Sequence, residues 1–328
     1  MYVVTGGAGF IGSNLLAALE ERGDGELVVV DRLRSNDKWR NIAKREIAEI
    51  VQPEHLFDFL EENRAKIKMI FHMGAISTTT ETNADLIVTN NYNLSSVLFA
   101  WCTRHNVRII YASSAATYGD GAQGFDDDFG IAPLSLLQPL NAYGWSKHLF
   151  DRRLARKVAE DQPMPPQWAG LKFFNVYGPN EYHKAGQQSV VSQIQPQAAS
   201  GAPAHLFRSH NPNYEDGGQM RDFVWIGDVI SVMMWLLDHA PVNGLFNLGS
   251  GQARSFLDLA SAVYLAMGKE PYIKFVDTPV TMRDKYQYFT EARMGRLKAC
   301  GYDKPFTSLE EGVSAYVNGF LSRPDRYR

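Results

Sequence analysis

A tyrosine and a lysine four residues apart are the residues of this sequence best suited to catalysis. Tyr143 and Lys147 lie in the run Tyr-Gly-Trp-Ser-Lys, and at i and i+4 on a helix the two side chains share one face. A tyrosine has an ordinary pKa of about 10, so its phenol needs a neighbouring positive charge to act as a base near neutral pH. Ser114, at the end of a predicted strand, supplies a hydroxyl for the same substrate oxygen. The spacing predicts a proton-transfer site.

A glycine-rich turn near the first residue predicts a dinucleotide site. Residues 1–14 have the pattern of a strand, a tight turn and a helix, with Thr-Gly-Gly-Ala-Gly-Phe-Ile-Gly at 5–12. Gly6 or Gly7 can adopt the positive φ of the turn, Gly9 leaves room for a pyrophosphate, and Gly12 lets the helix pack close to the strand. A glycine-rich hairpin is the alternative, but it does not explain the helix that follows. With a nicotinamide cofactor beside Tyr143, the site would couple proton transfer to hydride transfer.

The residues after the second predicted strand bear on the choice between NAD and NADP. Asp31 ends the run Val-Val-Val-Asp, where an acidic side chain can accept hydrogen bonds from the adenosine ribose and favours NAD. Arg32 and Lys38 follow in a basic segment and could hold the 2′-phosphate of NADP. We expect NADP in preference to NAD, with Asp31 turned to the remaining hydroxyl. A solvated charged loop is the alternative interpretation.

Composition excludes several classes of protein. The 328 residues are 45% hydrophobic and 21% charged, as in ordinary globular enzymes, and the net charge of −3 gives no general attraction to nucleic acid or to an anionic membrane. Two cysteines, Cys102 and Cys300, are too few for a disulfide framework or a zinc cluster, so no metal site is expected. No signal-peptide pattern and no apolar run of membrane-spanning length are present. These features predict a cytoplasmic protein.

Strand and helix patterns alternate through the first half of the chain. This order predicts an α/β fold with a Rossmann-type, doubly wound parallel sheet and a smaller mixed α/β substrate domain. Prolines and glycines interrupt the alternation beyond Pro179. We expect the nucleotide-binding domain to comprise 1–176 with a return segment at about 219–248, in which 223–237 forms a strand and a helix. The substrate domain would comprise 177–218 and about 249–328.

A long helix is predicted from Asn83 to His105. Asn90 and Asn91 lie near its middle, where asparagine is locally unfavourable. One of them is therefore expected to contact a neighbouring strand or the cofactor, and solvent exposure is the alternative. His72, at the end of the preceding strand, is expected to be a packing histidine rather than a catalyst.

Several motifs together resemble the extended short-chain dehydrogenase/reductase family, in its sugar-nucleotide epimerase and dehydratase branch. These are residues 5–12, 111–119 (Tyr-Ala-Ser-Ser-Ala-Ala-Thr-Tyr-Gly), Tyr143-x-x-x-Lys147 and 174–179 (Phe-Asn-Val-Tyr-Gly-Pro). A narrower resemblance, to the ADP-heptose 6-epimerases, extends along nearly the whole chain. It rests on 181–184 (Glu-Tyr-His-Lys), 221–224 (Arg-Asp-Phe-Val), 246–251 (Phe-Asn-Leu-Gly-Ser-Gly) and 301–306 (Gly-Tyr-Asp-Lys-Pro-Phe).

The resemblance implies inversion at carbon 6 of ADP-D-glycero-D-manno-heptose, for lipopolysaccharide core biosynthesis. A resident NADP would take the hydride from carbon 6 and return it to the other face of the ketone. Acid/base groups are then needed on two sides of the carbonyl, and Tyr143 cannot occupy both. In the family the second group is the lysine of a His-Lys pair, which here is Lys184. A phosphate-binding surface lysine is the alternative role for Lys184.

The resemblance also implies the residues that line the cofactor and the substrate. The expected cofactor positions are Gly6, Gly9, Phe10, Ile11, Gly12, Asp31, Arg32, Lys38, Met73, Gly74, Ala75, Ile76, Ser77, Asn90, Tyr143, Lys147, Val176 and Lys184. The expected substrate positions are Ser114, Asn175, Gly186, Gln193, Phe207, Arg221 and Tyr286, with the arginine suited to a diphosphate. The family further implies a homo-oligomer, with a pentamer as one candidate state.

Departures from the family pattern concern the sugar and nucleotide pocket. After Lys184 the family usually continues Gly-Ser-Met-Ala-Ser, whereas this chain has Ala-Gly-Gln-Gln-Ser at 185–189. Gln193 stands where a histidine is expected, and the loop-like stretch 210–219 is longer than usual. These changes leave the exact substrate contacts open but not the reaction type.

Three other functions share part of this pattern. Another nucleotide-sugar epimerase, such as a UDP-hexose 4-epimerase, would share the dehydrogenase motifs. A dehydratase normally carries an acidic pair after the position of Thr117, and the run Ser-Ala-Ala-Thr at 114–117 offers none. A nonenzymatic cofactor-binding scaffold or redox-sensing regulator commonly lacks the tyrosine or the lysine, and this chain has Tyr143, Lys147 and Ser114.

Overall fold

The structure, a computed structural model, describes residues 1–283 and 287–328. The strands are β1 (Tyr2–Thr5), β2 (Leu27–Val30), β3 (Glu49–Val51), β4 (Met69–His72), β5 (Arg108–Ser114), β6 (Trp168–Phe173), β7 (Asn175–Tyr177), β8 (Ala204–Phe207), β9 (Met220–Trp225), β10 (Gly244–Leu248), β11 (Ala253–Ser255) and β12 (Ile273–Val276).

The α-helices are α1 (Phe10–Arg22), α2 (Leu56–Asn63), α3 (Ala84–Ile87), α4 (Leu94–His105), α5 (Ile131–Leu136), α6 (Ala142–Ala159), α7 (Val190–Ser200), α8 (Ile226–Asp238), α9 (Phe256–Ala266), α10 (Val280–Arg283), α11 (Gly295–Ala299) and α12 (Leu309–Tyr316). Short 3₁₀ segments occupy Asp37–Asn41, Pro53–His55, Ala115–Tyr118 and Tyr182–Gln187, and π-helical turns occupy Val88–Asn93 and Val317–Leu321.

Seven strands form the central sheet, in the order β10-β6-β5-β4-β1-β2-β3, and every neighbouring pair is parallel. Helices α1 and α8 cover one face, where Leu15 and Val229 belong to one apolar cluster. Helices α2, α4 and α6 contribute Leu60, Phe99 and Phe150 to the cluster on the other face. Strands buried on both faces read as continuous apolar runs, which explains the run of valines in β2. The predicted α/β class with a doubly wound parallel sheet is confirmed.

A smaller unit is built around two short sheets. One has the order β11-β9-β7, with β9 parallel to β7 and antiparallel to β11, and the other pairs β12 with β8. Its own apolar cluster includes Val191, Leu259, Val313 and Tyr316, from α7, α9 and α12. The mixed pairing fits the expected smaller α/β unit.

The return segment divides between the two units. Helix α8 packs on α1, and β10 forms an edge of the central sheet. Strand β9 instead joins β7 and β11 in the smaller unit, although we expected residues 223–237 to return to the main domain as a strand and a helix. Strand pairing depends on distant residues, so a local apolar pattern predicts the strand without predicting its partner.

The predicted helix over 83–105 is present, with a π-helical turn at Val88–Asn93 between α3 and α4. Such turns often occur at functional sites because they change which side chains face a neighbour. Across 1–283 and 287–328, no helix combines the length and apolar character needed to span a bilayer.

Candidate active site

The glycine-rich turn lies between β1 and α1, against the loop that follows β4. Gly6 has the positive φ, +66°, and a Cβ there would lie 2.7 Å from the Cα of Gly74. A Cβ on Gly12 would lie 2.3 Å from the Gly6 carbonyl oxygen. The first helix begins at Phe10, with Gly9 as its N-cap. Glycine is thus required where the turn meets the loop after β4 and where the helix meets the turn, as in a turn that binds a pyrophosphate at a helix start.

Asp31 connects the glycine-rich turn to the basic segment after β2. Its carboxylate accepts a hydrogen bond from Ala8 N at 3.0 Å and another from Arg32 N at 2.7 Å. Lys38 Nζ donates to the same carboxylate at 2.5 Å. The Arg32 guanidinium pairs with Glu54, with 3.0 Å between Nε and Oε1. A carboxylate and two cations therefore lie together at the carboxyl end of β2, the place where dinucleotide-binding folds hold the adenosine ribose.

Asn91, rather than Asn90, holds the loop formed by Met73–Ser77. Asn91 Oδ1 accepts from Ile76 N at 2.8 Å, and Asn91 Nδ2 donates to Ile76 O at 3.0 Å. Asn90 Nδ2 donates to Leu86 O at 2.8 Å, within its own helix. Gly74 N donates to Thr5 Oγ1 at 3.1 Å, which ties the same loop to β1.

Tyr143, Lys147 and Ser114 meet at the carboxyl end of β5. Helix α6 approaches the 3₁₀ segment Ala115–Tyr118 after this strand closely because residue 144 is glycine, whose Cβ would lie 2.5 Å from Ala116 O. Lys147 Nζ donates to Ala112 O at 2.8 Å. Tyr143 and Lys147 therefore both reach the carboxyl end of β5, where Tyr143 contacts the Ser114 hydroxyl.

Burial sets the acid/base properties of this group. It raises the pKa of the Tyr143 phenol, and the nearby Ser114 hydroxyl opposes the rise. It lowers the pKa of Lys147 to about 8, against the opposing charge of Asp151. An amine with this pKa exchanges its proton near neutral pH.

The side chain of Lys184 packs against the start of α1, close to the glycine-rich turn. Its Nζ is 4.4 Å from the centre of the Phe10 ring. Burial lowers the pKa of Lys184, and the charge of Glu181 partly restores it. The preceding His183 meets Asn41, with 3.1 Å between Nδ1 and Nδ2, and Asn41 Nδ2 also donates to Ala8 O at 2.9 Å. The segment Tyr182–Gln187 is thereby joined to the turn that would hold the pyrophosphate.

Buried hydrogen bonds hold the segment Tyr182–Gln187 in place. Glu181 is 1% exposed and accepts hydrogen bonds from Ser189 N and Ser189 Oγ, each at 2.6 Å, and from Tyr316 OH at 2.9 Å. Ala185, directly after Lys184, has φ +48° and ψ −125°. This is backbone that glycine adopts readily and alanine does not. The segment is therefore held in a strained shape by its neighbours.

The expected substrate residues lie on several elements of the smaller unit. Asn175 is exposed on β7, beside the half-buried Val176. Arg221 is on the neighbouring β9, and its guanidinium carbon is 5.6 Å from the centre of the Phe256 ring. Gln193 Nε2 donates to Gln188 O at 2.7 Å.

The other expected substrate positions are more scattered. Gly186 is exposed in the segment after Lys184, and Phe207 ends β8. Tyr286 lies outside the described residues.

Three polar residues around this site were not singled out from the sequence. Asn41 connects the glycine-rich turn to His183, and Asp151 and Lys172 are fully buried. A lysine inside the apolar run of β6 was a detectable signal for Lys172, and the spacing 143, 147, 151 was one for Asp151. Nothing local distinguishes Asn41 from any loop asparagine.

Comparisons with known proteins agree on one family. The profile of the NAD dependent epimerase/dehydratase family matches residues 2–249. An ADP-L-glycero-D-manno-heptose-6-epimerase of Nitratidesulfovibrio vulgaris (strain Hildenborough) is 46% identical over 327 residues, covering 99% of both chains. The enzyme of the same name from Fusobacterium nucleatum is 42% identical over 335 residues, covering 100% of both. The crystal structure of the Helicobacter pylori enzyme of that name superposes with a TM-score of 0.80 at 28% identity, covering 98% of this chain and 96% of that one.

Proposed function

This chain belongs to the NAD dependent epimerase/dehydratase family, and we propose that it inverts carbon 6 of ADP-D-glycero-D-manno-heptose to give the L-glycero epimer. The product would serve lipopolysaccharide core biosynthesis. The full-length similarity to enzymes that bear this name, at 42% and 46% identity, supports the assignment.

The observation that carries the proposal is the presence of two acid/base candidates on separate elements. Tyr143 is on α6 beside β5, whereas Lys184 lies in the segment after β7, against Phe10. A carbonyl that is reduced from either face needs a proton donor for each orientation. A simple dehydrogenase needs only the first of these groups, so the second favours inversion.

The residues of the glycine-rich turn and of the β2 end fit an NADP cofactor. Bound there, the dinucleotide supplies a hydride acceptor that becomes the hydride donor for the return step. Asp31 remains available for a ribose hydroxyl, while Arg32 and Lys38 can hold a 2′-phosphate. Exchange of the Arg32–Glu54 ion pair for an Arg32–phosphate pair would keep the guanidinium paired. NAD is the less favoured alternative.

Tyr143 and Lys184 are the groups that move a proton at the carbon 6 oxygen, one for each orientation of the sugar. Ser114 would orient that oxygen by hydrogen bonding. Lys147, whose pKa is lowered to about 8, would stabilise the Tyr143 phenolate by its charge when protonated. One of the two groups takes the proton when the alcohol is oxidised, and the other gives a proton when the turned ketone is reduced.

The substrate would lie between the two units of the fold. We assign Asn175, Gly186, Gln193, Phe207, Arg221 and Tyr286 to its binding, with Arg221 on the diphosphate. We also propose the division of the chain into a nucleotide-binding domain (1–176 and about 219–248) and a substrate domain (177–218 and about 249–328). A cytoplasmic homo-oligomer, with a pentamer as the state to test, completes the proposal.

Proton NMR of the purified protein with ADP-D-glycero-D-manno-heptose, without added cofactor, tests this function. We expect conversion to the L-glycero epimer by the parent and by Tyr272→Phe, an exposed tyrosine, and loss of conversion in Tyr143→Phe. Epimerisation of a UDP-hexose in place of the heptose would overturn the substrate assignment and favour a hexose 4-epimerase. If neither sugar turns over, a repeat with NADP separates a lost cofactor from a wrong substrate.

A further inference from the structure

Asp151 extends the row of side chains formed by Tyr143 and Lys147. The three residues are spaced by four along α6 and share the face that packs on β5. Asp151 is 0% exposed. Its Oδ1 accepts a hydrogen bond from Tyr111 OH at 3.1 Å, and its Oδ2 accepts one from Ser113 Oγ at 2.6 Å. One buried carboxylate therefore accepts hydrogen bonds from two residues of the strand.

Tyr111 and Ser113 flank Ala112, whose carbonyl oxygen binds the Lys147 amine. Tyr111 and Ser113 are two apart on β5 and so point to the same face. Between them, Ala112 O accepts the hydrogen bond from Lys147 Nζ at 2.8 Å. The next residue along the strand is Ser114. The two hydrogen bonds to Asp151 thus position the part of β5 that carries the partner of Lys147, Ala112 O, and the partner of Tyr143, Ser114.

Asp151 is also the buried carboxyl group that faces the amines of this region. Burial raises its pKa, and the charge of Lys172 with the Ser113 and Tyr111 hydrogen bonds opposes that rise. The groups that act on it or that it acts on are Tyr111 on β5, Tyr118 after β5, Tyr143 and Lys147 on α6, and Lys172 on β6. Lys172 is 0% exposed, and its Nζ makes no hydrogen bond within the described residues, lying 4.1 Å from the centre of the Tyr118 ring. His148 and Asp127 face Lys172 in turn. A buried carboxylate next to two buried amines is stable only as part of such a set.

We infer that Asp151 is a positioning residue of the active site, which fixes β5 against α6 and so places the Ala112 carbonyl that holds the Lys147 amine. The catalytic consequence rests on the proposed function, whereas the placement and protonation of Lys147 do not. Burial alone favours a neutral amine at this position, and the carboxylate opposes that preference.

Titration of Lys147 in the full-length protein tests the inference without any substrate. The protein is labelled with 13C at lysine Cε, its NMR spectrum is recorded across pH, and the Lys147 signal is the one that is lost in Lys147→Arg. The parent midpoint is expected at about 8. Asp151→Asn keeps the shape of the side chain but removes its charge, so the midpoint is expected to fall by roughly one pH unit or more.

The matched control is Asp228→Asn on α8. Asp228 is also a buried carboxylate that accepts two hydrogen bonds, from Thr307 N and Thr307 Oγ1, each at 2.9 Å. Asp228→Asn should lower the free energy of unfolding without moving the Lys147 midpoint. Asp151→Glu retains the charge and is expected to restore the midpoint toward the parent value.

Epimerisation by the same variants extends the test. Asp151→Asn should lower kcat by roughly tenfold or more with KM changed by less than about threefold, because the residue does not touch substrate. Removing its charge lowers the pKa of both Tyr143 and Lys147, so both limbs of the pH profile should move to lower pH.

Two results would overturn the inference: an unchanged Lys147 midpoint in Asp151→Asn, or the same shift in Asp228→Asn. A parent protein that fails to epimerise the heptose would contradict the proposed function and leave the lysine titration to decide the role of Asp151.

Discussion

Lys184 Nζ lies 4.4 Å from the centre of the Phe10 ring, so an amine from the smaller unit reaches the first residue of the helix that follows the glycine-rich turn. An ammonium over an aromatic face is stabilised by the ring, and burial at the same time lowers the pKa of this amine. The contact places the second acid/base candidate beside the glycine-rich turn.

Replacing Lys184 by methionine tests its role in proton transfer. Methionine retains apolar packing on Phe10 but cannot carry a proton, so kcat for heptose epimerisation should fall by about 10²- to 10⁴-fold. Lys274→Met removes an exposed lysine and should leave kcat unchanged. A Lys184→Met variant with parental kcat and a raised KM would instead assign Lys184 to phosphate binding.

The backbone at Ala185 gives a prediction for stability. A non-glycine residue at φ +48° and ψ −125° stores about 1–3 kcal/mol of strain, and the extra freedom of glycine in the unfolded chain costs about 0.4–1 kcal/mol. Ala185→Gly should therefore raise the free energy of unfolding by about 1 kcal/mol in urea denaturation. Ala199→Gly, within α7, should lower it by a similar amount. Destabilisation by Ala185→Gly would contradict the strain.

Cofactor choice should depend on Arg32. Arg32→Gln removes a bidentate phosphate donor, so the Kd for NADP should rise about tenfold or more while the Kd for NAD changes little. Glu54→Gln frees the same guanidinium from its ion pair and should bind NADP at least as tightly as the parent. Calorimetric titration of cofactor-free protein measures both constants. Equal losses for NAD and NADP in Arg32→Gln would contradict a 2′-phosphate site.

His72 should make the fold sensitive to acid. It is 1% exposed between Thr5 Oγ1 at 2.7 Å and Ser95 Oγ at 2.9 Å, and burial lowers its pKa to about 3. In the unfolded chain His72 takes up a proton near pH 6.5, whereas in the folded chain it does not. The contribution of His72 to the free energy of unfolding is therefore fully present above pH 6.5 and is lost as the pH falls toward 3. From pH 6.5 to 5 the loss is about 2 kcal/mol for this one group.

The substitution His72→Asn isolates that contribution. The variant should be less stable than the parent at pH 7, and its free energy of unfolding should fall by about 2 kcal/mol less between pH 6.5 and 5. His148 and His183, each with a pKa lowered to about 4 by burial, remain in both proteins and cancel in the comparison. Parallel pH dependences of parent and variant would show that His72 is protonated in the folded state.

The sequence predicted those features whose signals are local. The turn at Gly6 and Gly12 follows from glycine spacing between a strand and a helix, and the Tyr143–Lys147 face follows from helical periodicity. The choice between Asn90 and Asn91 was not predictable, because the π-helical turn at Val88–Asn93 sets which of them faces the Met73–Ser77 loop. Other contacts join residues far apart in the chain: the pairing of β9, the hydrogen bonds from β5 to Asp151 and the Asn41–His183 contact. Such contacts depend on the assembled fold.

Inversion by hydride removal and return is the central claim, and the fate of the hydrogen on carbon 6 tests it most directly. The heptose is converted in D₂O without added cofactor, and the product is analysed by proton NMR. Our account predicts that the epimerised product keeps protium at carbon 6, because the hydrogen that leaves as hydride never exchanges with solvent. Deuterium at carbon 6 of the product would mean that the carbon is deprotonated and reprotonated, and it would contradict the account.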